Sequence, residues 1–216
     1  KATLQQADGN AGELISVLEH YEDDPQKREA AEFLIANMLD QVSLDSASVS
    51  NTQPYYDFLA EYVEKNGKYK DSRIYYYFCD SLQKILPRST RYVTEYYRPD
   101  PTFLSARFLI DHIDERFDEW RNTSWKDRID FETFCNYILP YKSHYDYWDG
   151  SSVYFQKKYR DTLSCYADSS YVQAGKYLNA IVQNDFQQDA PFFCEFPFMM
   201  PTSARNFTLS RLGTCI

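Results

Sequence analysis

Apolar side chains recur along this chain at intervals of three and four residues, the spacing that lines one face of an α-helix. Leu14, Leu18 and Tyr21 form the first stripe, with Asn10 where a helix N-cap belongs. Asp24-Pro25 then restarts the chain, because proline at the first helical position lacks only an N–H that would have no partner there. Ala31, Leu34, Ile35 and Met38 continue on one face, so a helix is predicted from Pro25. After a polar stretch at 44–53, Pro54 opens a segment carrying Tyr55, Phe58, Leu59, Tyr62 and Val63 that Asn66-Gly67 closes. Asp71 begins another, with Ile74, Phe78, Leu82 and Ile85 in register until Pro87.

Asp100-Pro101 repeats the start signal and is expected to launch the longest helix, Thr102 to Arg121. Ala106, Leu109, Ile113, Phe117 and Trp120 would face inward, opposite a strongly charged face. Asp130 caps Phe131 to Leu139, and Pro140 stops that run. Two further amphipathic runs, 152–167 and 170–186, complete the helical pattern. From Pro191 to Pro201 the chain reads PFFCEFPFMMP, apolar but interrupted by prolines, which suits an irregular or extended segment and not a helix. The expected organisation is therefore mainly α: a multi-helix domain over 1–186, then a segment of different character over 187–216. No repeat of fixed period is visible, since the Tyr clusters at 55–56, 75–77 and 96–97 fall at different helical phases.

Composition narrows the function classes. Thirty-two acidic against 23 basic residues give a net charge of -9, which repels nucleic acid and anionic lipid. Aromatic residues make up 18% of the chain while glycine occurs only 6 times, so large flat side chains are expected between long elements with few tight turns. No apolar run is long enough to cross a membrane. The first residues, Lys-Ala-Thr-Leu-Gln-Gln, lack the apolar core of a signal peptide, which fits either its absence or its removal. Cys79, Cys135, Cys165, Cys194 and Cys215 are odd in number, so at least one thiol is unpaired within the chain, and their disulfide state stays open. Cys79 and Cys135 lie in aromatic helical runs and read as small buried hydrophobes.

Candidate chemistry is sparse. His20, His112 and His144 have no metal-ligand spacing around them and no CxxC occurs, so neither metal nor cofactor is expected. Asp111, Asp114 or Glu115, and Asp118 make an acidic stripe that could gather a hard cation, against the plainer and favoured reading of a solvated helix face with Arg107 and Arg116 as neighbours. A carboxylate pair for sugar hydrolysis is defined by separation in space, which sequence does not give. No glycine-rich phosphate loop is present, and Gly150-Ser151 lacks the hydrolase elbow. Tyr141, His144, Tyr145, Tyr147 and Trp148 cluster after Pro140; of these, Tyr145, Tyr147 and Trp148 are candidates for stacking on a sugar ring, against the plainer reading of aromatic rings packed beside a helix end. Near the C-terminus, Arg211, Gly213 and Cys215 stand two apart. A cysteine is activated at a helix N-terminus, where free N–H groups favour the thiolate, but here one residue follows it and no histidine lies beyond.

Arg211, Gly213 and Cys215 resemble the Arg-x-Gly-x-Cys that opens the nucleophile helix in secreted bacterial transglutaminase-like proteins, whose α+β core is of the papain type. AAEFLIANM at 30–38, FLIDHIDERFDEW at 108–120 and DFETFCNYILPY at 130–141 are similar to the helical region preceding that core. The resemblance implies that 187–216 is the incomplete start of the core and that Cys215 is an acyl-forming nucleophile. The His and Asp of its triad would follow in chain order, and this sequence contains neither, so the chain alone is expected to be inert. It implies further a protein or peptide amide as substrate, and an exported, periplasmic or cell-surface protein of the kind often lipid-anchored as a precursor. The competing expectation is a non-enzymatic helical module of an exported protein that binds a glycan or peptide.

Overall fold

A computed structural model describes residues 1–44, 97–142 and 170–185, together with the single positions 57, 61, 64, 65, 158 and 159. The chain is mainly helical, and the described residues include a small two-stranded antiparallel sheet. It divides into two compact units, the first built from 1–43 and 97–145, the second from 44–96 and 146–216.

In the first unit, the helices α1 (Ala2–Gln6), α2 (Ala11–His20) and α3 (Pro25–Ala36) lead to strand β1 (Val42–Leu44). Strand β2 (Tyr97–Pro99) pairs with β1, and a 3-10 turn at Asp100–Thr102 leads to the long helix α4 (Ala106–Asn122). After a second 3-10 turn at Lys126–Arg128, a short α5 (Phe131–Thr133) runs on as a π-helix over Phe134–Ile138. Helices α2, α3 and α4 pack on one another, and the π-helix lies against α3.

The expected stripes form this core. Leu14, Val17 and Tyr21 from α2 and its C-terminal turn meet Ala31, Leu34, Ile35 and Met38 from α3 and the residues after it, and Leu109, Ile113 and Phe117 from α4. Leu18 is only partly buried, and Val17 takes the central place instead. Phe134 closes the core from the π-helix, its ring stacked on Trp120 at 4.5 Å and edge-on to Phe117 at 4.8 Å. Such aromatic pairs add about 1 kcal/mol each to their area burial. Cys135 is a buried free thiol, in keeping with its reading as a small hydrophobe.

Two start signals fall where expected. The Asp24 carboxylate accepts from Lys27 N at 3.1 Å with Pro25 at the first helical position, and Asp130 accepts from Thr133 N at 2.7 Å. Two others are corrected. Asn10 precedes α2 but does not cap it; its Nδ2 donates to the carbonyls of Pro101 and Leu104, both at 2.9 Å. The long helix does not begin at Thr102. Asp100-Pro101 makes only a 3-10 turn, Phe103 breaks it, and Ser105 caps α4 by accepting from Phe108 N. Glu13 satisfies a further free donor there, accepting from Ala106 N at 2.6 Å.

In the second unit, helix α6 (Tyr171–Asp185) follows Ser170, whose Oγ accepts from Gln173 N, matching the run expected at 170–186. Tyr159 is buried and donates to Asp185, which also pairs with Lys158 at 2.8 Å. Positions 57, 61, 64, 65, 158 and 159 are helical, and Lys65 pairs with Glu61 one turn earlier. The remainder of the helices expected at 54–67, 71–87 and 152–167, the Pro191–Pro201 stretch and the boundary near 187 lie outside the described residues.

Candidate functional site

A carboxylate with no exposed surface is the most unusual polar feature of the first unit. Asp100, directly after β2, is 0% exposed. An ionised group in that position requires a full complement of donors. Ser43 donates to its Oδ1 at 2.7 Å; Tyr141 and Lys142 both donate to its Oδ2 at 2.6 Å. Its own N–H donates to the carbonyl of Gln41. Lys142, its side chain 5% exposed, also donates through Nζ to the carbonyl of Val42 at 2.7 Å and to Ser43 Oγ at 3.0 Å. Burial, then the Asp100 charge, push the Tyr141 hydroxyl above the ordinary phenol range.

A serine hydroxyl 3.0 Å from a lysine amine has the makings of a nucleophile and its base. The directions of the bonds argue against that use. All three N–H bonds of Lys142 point at acceptors, so the amine offers no lone pair, and the single Ser43 proton goes to Asp100 instead of to a base. Ser43 is also 2% exposed, which denies a substrate access. The constellation is a closed ionic knot.

His112 lies on the inner face of α4 and is 7% exposed. Its Nε2 is 2.7 Å from the Leu139 carbonyl oxygen, and its ring faces Phe108 and, edge-on, Tyr141. A carbonyl accepts only, so Nε2 carries the proton and the neutral ring has that tautomer. Burial is the main cause that lowers its pKa, with Arg116 acting the same way and the Leu139 bond and Glu115 opposing. His20 is exposed beside Tyr21. His144 lies outside the described residues.

Three carboxylates of the acidic stripe, Asp111, Asp114 and Glu115, are paired with cations. Asp114 accepts from Lys27 at 2.8 Å and from the Tyr21 hydroxyl at 2.9 Å; Arg116 pairs with Glu115 and Glu119; Arg107 approaches Asp111 at 3.5 Å. Burial and then Asp114 raise the Tyr21 hydroxyl above its usual range. Among the described residues no group of three or more His, Cys, Asp or Glu side chains is placed to hold a metal ion, and no helix is long and apolar enough to cross a membrane.

Of the residues singled out in the sequence, Cys215, Tyr145, Tyr147 and Trp148 lie outside the described residues. Tyr141, first of that aromatic cluster, is half-buried with its hydroxyl committed to Asp100, so it packs and does not present a free face with a wet tip. Sequence reasoning missed the Asp100, Ser43 and Lys142 knot. Its one local sign was Asp100-Pro101, which reads equally well as a helix start. Comparison of the chain with protein-family models, with curated proteins and with solved structures finds no match.

Proposed function

We propose that this chain is the helical module of an exported transglutaminase-like cysteine acyl transferase or hydrolase acting on amide bonds, and that the module scaffolds and does not catalyse. The observation that carries this reading is the packing of the resembling segments. The stretches 30–38, 108–120 and 130–141 supply Ala30, Leu34, Met38, Leu109, Ile113, Phe117, Phe134 and Leu139 to one continuous core. The chemistry-bearing side chains described in that module fit the same role, because Asp100, Lys142, Ser43 and His112 spend their hydrogen bonds on each other and on backbone carbonyls.

On this reading Cys215 is the nucleophile, and the His and Asp partners come after it in chain order. The thiolate attacks the amide carbonyl, the histidine protonates the leaving amine, and water or a second amine resolves the thioester. The test is to incubate the chain with amide substrates and a thiol-directed probe. Ordinary alkylation of Cys215 without turnover is expected. Turnover that disappears in Cys215→Ser would refute the scaffold role, whereas glycan affinity lost in Trp148→Ala would favour a binding module.

A further inference from the structure

The chain passes between the first unit and the rest of the protein at three points: after Ser43, before Tyr97 and after Tyr145. Ser43 stands at the first, Asp100 three residues inside the second, and Tyr141 with Lys142 just inside the third. All three passages therefore converge on one buried carboxylate. The β1–β2 pair that joins the first two has three residues per strand, and an isolated ribbon of that size is marginal in water.

We propose that the Asp100 carboxylate is a clasp that fixes the paths by which the chain leaves and re-enters the first unit, so that local opening at one passage is resisted by the other two. Three features support a clasp over a plain contribution to the core. First, replacing a buried ion pair by apolar side chains is often neutral or better, so stability alone gives little reason for charge at this place. Second, the bonds to the Asp100 carboxylate join points 41 to 57 residues apart in sequence and not neighbours on one helix. Third, Lys142 reaches past Asp100 to the Val42 carbonyl and Ser43 Oγ, which ties the third passage directly to the first.

The test is hydrogen exchange followed by mass spectrometry on the full chain, comparing peptides over 41–44, 97–104 and 139–142 with the centres of α2 and α4. In Asp100→Asn, exchange is expected to accelerate about tenfold or more at all three passages, the scale of losing charge-assisted hydrogen bonds in a buried site. The helix centres should keep their protection. Ser43→Ala removes the two bonds of one hydroxyl, to Asp100 and from Lys142, leaves the carboxylate in place, and provides the reading if Asp100→Asn does not fold; a several-fold acceleration at 97–104 and 139–142, away from the mutated residue, is expected. Acceleration confined to the mutated passage, or spread equally through the helices, would overturn the clasp.

Discussion

Replacing His112 with glutamine should remove a specific part of the protein's acid sensitivity while keeping its hydrogen bond. The folded protein holds His112 neutral, with its pKa lowered from the ordinary 6.5 chiefly by burial. The unfolded chain therefore binds a proton more readily than the folded one. The stabilisation from the neutral ring is complete above pH 6.5 and declines as pH falls from there toward the lowered folded value. One titrating group limits that slope to about 1.4 kcal/mol per pH unit. Glutamine does not titrate, and its side-chain N–H can reach a carbonyl such as that of Leu139, which the ring contacts at 2.7 Å. At pH 8 the variant should lose roughly 1 kcal/mol, the scale of the aromatic contacts given up to Phe108 and Tyr141. Between pH 6.5 and 5 its stability should fall less steeply than that of the parent. Urea unfolding at several pH values measures both, reading the fluorescence of Trp120 and Trp125 in a Trp148→Phe background so that the signal comes from the first unit. Parallel pH profiles for parent and variant would refute the assignment of a buried neutral imidazole. So would a parent that gains stability on acidification through this window.

Three simpler outcomes are expected. Phe117→Ala should cost about 3–5 kcal/mol in denaturant unfolding, because the ring is fully buried between Trp120, Phe134 and the Lys27 and Arg121 side chains, and the cavity cannot collapse readily. Asp24→Ala should cost about 1 kcal/mol by removing the acceptor for Lys27 N at the start of α3, measured the same way. Cys135, its thiol pushed up by burial to about 11, should resist alkylation at pH 8 in the folded protein and react once urea opens the first unit, as peptide mass spectrometry would reveal.

Features governed by near neighbours in sequence were legible, and those governed by distant ones were not. The Asp24 and Asp130 caps and the inward stripes of α3 and α4 follow from spacings of three and four, and they stand where the pattern puts them. Asp100-Pro101 carries the same local signal as Asp24-Pro25. Its fate differs because its carboxylate finds Ser43, Tyr141 and Lys142, whose combined charge-assisted bonds outweigh a cap of about 1 kcal/mol. Asn10 is diverted in the same way by two carbonyls more than 90 residues downstream. The π-helix was hidden for another reason. A 3.6-residue period from Phe134 selects Ile138, whereas the structure buries Leu139 fully and closes Leu139 N onto Phe134 O. That added residue places the Leu139 carbonyl on His112. Of the aromatic cluster after Pro140, Tyr141 is packed with its hydroxyl held by Asp100, a partner 41 residues away that no local pattern reveals, while Tyr145, Tyr147, Trp148 and Cys215 lie outside the described residues.

Several polar contacts that the first unit makes across long sequence separations share one pattern. Asn10, Glu13, Tyr21, Lys27 and Ser43 all find their partners between Asp100 and Asp114. The chain from 45 to 96 therefore separates two stretches that folding of this unit must bring together, and a shorter connection should favour it. Putting Asn-Gly in place of 45–96 and ending the chain at Tyr145 keeps β1, Ser43, Asp100, Tyr141 and Lys142 and supplies a turn suited to an antiparallel pair. On the flexible-chain relation, exchanging some fifty residues for two lowers the closure cost by roughly 3 kcal/mol. The shortened chain should fold alone, unfold cooperatively, and do so at higher urea than the first unit does within the full protein. A shortened chain that is soluble but lacks cooperative unfolding would mean that 1–43 and 97–145 do not contain a self-sufficient core, and the division into units would then have no thermodynamic meaning.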